Sequence, residues 1–149
     1  MVAADCLAMY RFEVSDRDDK VLSERLIAQV RAFNQSVTGD NDARPLSVAV
    51  WNGQGELVGG LSGRTVYRHL LIEVLWVAEA ERSNGLGRQL MERAERVARG
   101  RGCIAAQVDT LSFQAPAFYR RLGFEVIGKV ADFPPGHTRY YLTKRYPAE

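Results

Sequence analysis

Residues 70 to 88 read LLIEVLWVAEAERSNGLGR, and this stretch decides the fold prediction. Its first part, Leu70–Val77, is apolar apart from one glutamate and predicts a short buried β-strand. Two glycines follow, and the next apolar residues share one helical face: Leu86, Leu90, Ala94 and Val97. The order is therefore strand, glycine-containing turn and helix, in which the free N–H groups at the helix start can hold an anion.

The residues before this stretch predict a strand, a helix and two further strands. Composition favours a strand at Tyr10–Val14, and apolar residues at helical spacing then predict a helix that ends near Gly39. Strands are predicted at Leu46–Trp51 and Leu57–Val66, joined by a glycine-containing turn. Because no helix separates them from Leu70–Val77, these three strands are expected to form an antiparallel meander.

The second half of the chain adds a crossover and a final hairpin. The helix after the glycines ends near Gly100, and the remaining elements are a strand, a short helix and two strands: Ile104–Val108, Gln114–Leu122, Glu125–Asp132 and Thr138–Arg145. A helix between two strands makes them parallel. The sequence therefore predicts one α/β domain of the α+β type over residues 1–149, with a mixed, mostly antiparallel sheet flanked by helices.

Composition excludes several classes of function. The chain has 149 residues, of which 46% are hydrophobic and 26% charged, and its net charge of +2 does not predict nucleic-acid binding. Cys6 and Cys103 form no CxxC pair, and His69 and His137 stand apart, so neither a disulfide framework nor a metal site is expected. No segment resembles a signal peptide or a membrane span, so we expect no membrane partner and a cytoplasmic location.

Three kinds of anion site compete for the glycine-containing turn. A nucleoside triphosphatase loop needs Lys-Ser or Lys-Thr after its glycines, and neither is present. A dinucleotide site would begin at Gly85-Leu86-Gly87, but Leu90 occupies the third glycine position and seven residues separate Val77 from Gly85. A nicotinamide-dependent oxidoreductase therefore remains only an alternative.

The third kind of site rests on a family resemblance. Arg82-x-x-Gly85-x-Gly87 after a strand resembles the coenzyme A diphosphate loop of the GNAT superfamily of N-acetyltransferases. Residues 115–124, APAFYRRLGF, resemble that family's A-x-x-x-Y-x-x-x-G-F segment. Together with the order of elements, the resemblance runs from Tyr10 to the last strand. One departure is Ser112, which stands where many members have an asparagine that contacts the cofactor.

The resemblance implies acetyl-coenzyme A as cosubstrate, with no metal. Its pantetheine arm would lie between splayed parallel strands and pair with backbone groups of Leu75, Trp76 and Val77. Its diphosphate would lie on the loop, whose predicted contacts are Arg82, Ser83, Asn84, Gly85, Leu86, Gly87 and Arg88. A backbone N–H near Trp76 or Val77 would stabilise the oxyanion that forms on the thioester carbonyl.

Glu73 is the first candidate for the general base. An alkylammonium has a pKa near ~10.4, so a group near the thioester must accept its proton. Strand alternation predicts that Glu73 shares a face with Leu71, Leu75 and Val77. The alternative is that Glu73 only pairs with Arg64 or Arg68 from the adjoining strand region.

Tyr119 matches the tyrosine that acts as general acid toward the leaving thiolate in the family, and its alternative role is aromatic packing beside Phe118 and Phe124. Asp109 is the second candidate base, and its alternative role is to cap the following turn.

The resemblance thus predicts an N-acetyltransferase in which a primary amine attacks acetyl-coenzyme A directly within a ternary complex. The acceptor is a small-molecule or peptide amine that the sequence does not identify, and a homodimer is compatible with such families. The alternative is a non-catalytic acyl-coenzyme A binding module that regulates another process.

Overall fold

The computed structural model describes residues 9–40 and 42–148, which divide into two compact units between residues 41 and 42. In the first unit, α1 (Lys20–Thr38) begins where the Asp19 carboxylate accepts a hydrogen bond from the Leu22 N–H at 2.8 Å, and it ends at Gly39 with a φ of 70°. The strand predicted at Tyr10–Val14 is wrong, because this exposed segment joins no ladder in the described chain. β-rich composition does not make a strand without a partner.

The second unit is built on a six-stranded mixed sheet with the order β1-β2-β3-β4-β6-β5. Its strands are β1 (Arg44–Trp51), β2 (Leu57–Val66), β3 (His69–Val77), β4 (Ala105–Leu111), β5 (Glu125–Ala131) and β6 (Thr138–Arg145). Only the β3–β4 pair is parallel, and the other four neighbouring pairs are antiparallel. The α+β sheet and its antiparallel meander are therefore confirmed.

Two helices and a short 3₁₀ turn complete this unit: α2 (Leu86–Gly100), α3 (Pro116–Arg121) and Glu79–Glu81. The buried residues of α2 are Leu90, Met91, Ala94 and Ala98, and they belong to the hydrophobic core. The predicted apolar face of α2 is wrong by one residue near the carboxyl end of the helix, since Val97 is 41% exposed while Ala98 is fully buried.

The two parallel strands separate after a short common stretch. β3 pairs with β4 only from His69 to Leu71, opposite Ala105 to Gln107. Beyond this point β4 continues to pair with β6 as far as Leu111, whereas the rest of β3 pairs only with β2. The sheet therefore forks between the carboxyl ends of β3 and β4, as the resemblance implied.

A β-bulge lies on β3 close to this fork. The register passes from Ser62↔Val74 to Gly63↔Ile72, so Glu73 has no partner on β2. Ile72 is buried in the core and Leu75 packs against it, so the alternation shifts by one residue at the bulge. The prediction that Glu73 shares a face with Leu75 is therefore wrong.

Gly63 makes the bulge sterically feasible. A Cβ at this position would lie 2.1 Å from the Leu71 carbonyl oxygen and 3.2 Å from the Ile72 Cα. Both of these are backbone atoms, which cannot turn aside as a flexible side chain would. A glycine inside a strand is a known sign of a bulge.

We predict that Gly63→Ala destabilises the protein by about 3 kcal/mol, because the methyl group would displace the β3 backbone. Gly53→Ala in the β1–β2 turn is the matched control, since its Cβ would meet no atom within 4 Å. Urea unfolding of both variants measures the difference. Equal unfolding midpoints would contradict the steric account of the bulge.

Candidate functional site

A cleft of about 1050 Å³ opens where β3 and β4 separate. Eleven of the thirteen predicted site residues line it: Glu73, Leu75, Trp76, Val77, Arg82, Ser83, Gly85, Leu86, Gly87, Arg88 and Tyr119. Asn84 belongs to the same loop, where its Nδ2 donates to Glu81 at 3.2 Å instead of lining the cleft. The remaining residue, Ser112, lies outside the cleft lining.

The loop before α2 presents a row of free backbone donors. Six consecutive N–H groups, residues 83 to 88, have no hydrogen-bond acceptor among the described residues. Ser83 and Gly85 have positive φ angles of 74° and 77°, and alternation of left- and right-handed residues forms the concave arrangement that binds anions. No side chain caps α2, so its dipole also faces the loop.

Arg82 shapes the loop in a way that the motif did not predict. Its backbone N–H donates to the Glu79 carbonyl at 3.2 Å, so this amide is already engaged. Its Nε donates to the Val77 carbonyl at 3.1 Å, which ties the loop back to the end of β3. Arg82 therefore organises the cradle, while the amides after it remain available.

Gly87 lies in close contact with α3, so its lack of a side chain suits packing as well as an approaching ligand. A Cβ at this position would lie 3.1 Å from the Phe118 ring on α3. Gly85, by contrast, has open space around it and is favoured by its positive φ. The second glycine of the motif thus holds α2 against α3, the helix that carries Tyr119.

Tyr119 is 5% exposed and packs its ring between Phe118 and Phe124, with centroids at 5.2 and 5.7 Å. Its hydroxyl has no hydrogen-bond partner in the part of the chain that the structure describes, and the residue lines the cleft. Burial, followed by the negative charge of Asp109, raises the pKa of Tyr119 to about 12. Tyr119 therefore packs against its aromatic neighbours as the alternative interpretation predicted. Its hydroxyl also remains available to a ligand.

Glu73 lines the cleft as the unpaired residue of the bulge. Its Oε1 lies 3.4 Å from Arg64 Nη1, and its side chain is 54% exposed. Arg68 does not contact it and donates to the Gly102 carbonyl instead. The pairing alternative with Arg64 is thus observed as one long contact, and the role of Glu73 as base stays a prediction.

Asp109 does not cap the turn that follows β4, so that prediction is wrong. Oε1 of Gln114 accepts from the Leu111 N–H at 2.8 Å and performs this function. Asp109 instead pairs with Arg139 of β6, whose Nε and Nη2 each lie 3.0 Å from its Oδ2. Sequence reasoning missed Arg139 because this contact depends on the β4–β6 register.

Ser112 contacts the final hairpin and not the cleft. Its hydroxyl accepts from the Thr138 N–H at 3.1 Å and lies 3.5 Å from His137 Nδ1. In residues 9–40 and 42–148, no three histidine, cysteine, aspartate or glutamate side chains group as a metal site. Within these same ranges, no helix is both long and apolar enough to cross a membrane.

Comparison with known proteins places the chain in a family. A family model described as acetyltransferase (GNAT) family matches residues 7–124. The chain belongs to the GNAT family of acetyltransferases. It is 44% identical over 107 residues to the blasticidin-S acetyltransferase of Streptomyces morookaense, which covers 69% of this chain and 79% of that protein.

Two further relatives extend over nearly the whole chain. An acetyltransferase of Agrobacterium fabrum is 33% identical over 135 residues, covering 91% of this chain and 98% of its own. The crystal structure of an acetyltransferase from Bacillus cereus superimposes with a TM-score of 0.82 at 33% identity, covering 93% and 99%. The protein is thus an acyltransferase that transfers acetyl groups, and a non-catalytic module is not favoured.

We predict that Tyr119 makes stability fall at alkaline pH. Its pKa rises from an ordinary 10 to about 12 on folding, so its stabilising contribution is complete below pH 10 and is lost as the pH approaches 12. Two pKa units correspond to about 3 kcal/mol at most. Urea unfolding at pH 9 and pH 12 should therefore show a smaller loss for Tyr119→Phe than for the unmodified chain, and identical losses would contradict the burial of the phenol.

Proposed function

We propose that the protein transfers an acetyl group from acetyl-coenzyme A to a primary amine of a small molecule, by direct attack within a ternary complex in the cytoplasm. The observation that carries this proposal is the row of six free backbone N–H groups beside a forked pair of parallel strands. Amides of this kind bind phosphate when a helix begins behind them.

The charge of the cleft favours a diphosphate at the loop. The charged residues that line this end are three arginines and one glutamate: Arg82, Arg88, Arg121 and Glu81. The backbone amides would take the diphosphate oxygens, and the guanidinium groups would add longer-range attraction. Because amides and arginines supply the positive field, the proposed binding mode involves no metal.

The fork suits the pantetheine arm. From Ile72 onward, β3 has no partner strand on its β4 side, so its backbone groups are available on that edge. An extended amide-containing chain can pair with such an edge as an additional strand would. In this mode Leu75, Trp76 and Val77 hold the arm, and an N–H at Trp76 or Val77 faces the developing oxyanion.

Tyr119 would stabilise the leaving thiolate by a hydrogen bond. With a pKa of about 12, its phenol is a weaker acid than a thiol of pKa ~8.5, so complete proton transfer to sulfur is uphill. A hydrogen bond that strengthens as sulfur gains charge accelerates the reaction without that transfer. The raised pKa also keeps the phenol protonated throughout the range in which the amine reacts.

Glu73 would accept the proton of the acceptor amine, directly or through water. Its contact with Arg64 is long and its carboxylate is half exposed, so a lone pair remains available. Asp109 is the alternative base, but one of its oxygens already accepts a hydrogen bond from Arg139 Nε and forms an ion pair with Nη2 of the same side chain. These contacts favour Glu73 for proton removal.

Blasticidin S is the first acceptor that we propose, on the strength of the 44% identity to its acetyltransferase. Glu73 and Asp109 line the cleft away from the loop, each beside an arginine, and the half-exposed carboxylate of Glu73 can contact a cationic amine. Peptide amines remain the second acceptor class.

Binding of the cofactor can be tested by thermal shift. Ligand at 100 times its Kd should stabilise the protein by about 2.7 kcal/mol. Gly85→Leu should abolish this protection, because the side chain would occupy the anion cradle. Gly55→Leu is the matched control, since both glycines have φ near 78° and open surroundings but Gly55 lies in the β1–β2 turn. Protection by NAD and not by acetyl-coenzyme A would contradict the proposal.

Catalysis can be tested by the rate of thiol release. Tyr119→Phe and Glu73→Gln should each lower kcat by roughly 10² to 10⁴ while acetyl-coenzyme A still protects the protein. An unchanged kcat in Tyr119→Phe would show that Tyr119 contributes only to packing. Absence of turnover with every amine would instead support the non-catalytic alternative.

A further inference from the structure

The cleft contains a guanidinium that the reaction proposed above does not use. Arg139 lies on β6 opposite Leu111 of β4, and its side chain lines the cleft while remaining 30% exposed. Its Nε donates to Asp109 Oδ2 and its Nη2 lies 3.0 Å from the same oxygen, while its guanidinium carbon lies 5.0 Å from the Phe133 ring centre and 4.8 Å from that of Tyr141. An arginine held by a carboxylate and two rings has little rotamer freedom left to lose when a ligand binds.

Asp109 does not satisfy all the hydrogen-bond donors of Arg139. A guanidinium carries five N–H groups, and the contacts of Nε and Nη2 with Asp109 leave three of them, the pair on Nη1 and the second one on Nη2, without an acceptor in the described chain. One N–H of Nη1 and the free N–H of Nη2 point in the same direction in the guanidinium plane, and this pair matches the two oxygens of a carboxylate. Arg139 is thus fixed in position and still able to bind an anion.

Arg139 lies on the acceptor side of the sheet and not with the diphosphate loop. Thr110 and Leu142 are buried on the core face with α2, so alternation places Asp109 and Arg139 on the opposite face. The bulge places Glu73 on that opposite face as well. A diphosphate bound at the start of α2 would therefore interact with arginines other than Arg139.

We propose that the acceptor carries a carboxylate in addition to its reacting amine, and that Arg139 binds this carboxylate. The inference rests on the proposed function and specifies its substrate class. Arg139 would hold the acidic end of the acceptor while Glu73 receives the proton from the amine. A carboxylate is favoured over a phosphate because Arg139 already shares its charge with Asp109 and Glu73 lies in the same cleft, so that a dianion would be repelled more strongly than a monoanion.

The test begins from the acceptor found in a thiol-release screen of blasticidin S, aminoglycosides, polyamines, amino acids and peptides. That acceptor is then compared with an analogue whose carboxylate is converted to the carboxamide. We expect kcat/KM to fall about 10- to 100-fold for the carboxamide, mainly through KM, because a charged hydrogen-bonded pair contributes about 1.5 to 3 kcal/mol.

Arg139→Gln should lower kcat/KM for the carboxylate form by the same factor and leave the carboxamide form nearly unchanged. Arg139→Lys should lie between these values, since it keeps the charge without the fork. Arg145→Gln is the matched control, because Arg145 is on the same strand and outside the cleft lining. Retained protection by acetyl-coenzyme A shows that each variant is folded.

Three results would overturn the inference: an acceptor with no carboxylate, a preferred acceptor in which a phosphate replaces it, or an Arg139→Gln variant that slows both forms equally. Should Arg139→Gln fail to fold, the comparison of the two acceptor forms with the unmodified chain still decides. Failure of the proposed function has a different signature, namely no protection by acetyl-coenzyme A and no thiol release with any amine.

Discussion

The site depends on a conflict in backbone pairing along β3. This strand carries one residue more than β2 can pair with, and it loses its β4 partner after Leu71, two residues before the unpaired Glu73. A bulge bends and twists the strand that contains it, so β3 cannot follow β4 beyond this point. Gly63 permits the distortion because any Cβ there would collide with the Leu71 carbonyl. The free edge and the cleft follow from that single extra residue.

The residues around the opening between β3 and β4 hold the loop before α2 and the helix α3 in place. Arg82 ties the cofactor loop to the last residue of β3, so the free amides stay at the mouth of the fork. Gly87 lets α2 approach Phe118, and Tyr119, which follows Phe118 on α3, belongs to the same hydrophobic core as α2. The loop end of the cleft is rich in arginine, and the other end carries the carboxylates of Glu73 and Asp109. Arg139 lies beside Asp109 at that other end, so this end presents charges of both signs.

Most of the fold, including the position of the glycine-containing loop before α2, could be predicted from the sequence, because both depend on local patterns. Apolar periodicity gave the elements of residues 44–145 to within a few residues, and the loop motif is contiguous. The wrong predictions concern residues whose structure depends on a neighbouring strand. Tyr10–Val14 has strand composition without a ladder partner, and the face of Glu73 depends on a bulge shared with β2. The glycine at position 63 was the available signal for that bulge.

The long-range contacts of the acceptor end could not be predicted in this way. Asp109 and Arg139 are 30 residues apart, and their contact needs the register of β4 on β6. The turn after β4 is capped by Gln114 and not by Asp109. The charge pattern of the sequence does not indicate which of these two residues caps the turn. Sequence therefore indicates the cofactor more clearly than the acceptor.

A crystal structure of the protein with acetyl-coenzyme A tests the central claim most directly. The account predicts diphosphate oxygens at hydrogen-bond distance, about 2.7 to 3.2 Å, from the backbone nitrogens of residues 83 to 88, with the pantetheine arm between β3 and β4. A cofactor bound with its diphosphate away from these nitrogens, or an arm outside the fork, would contradict it.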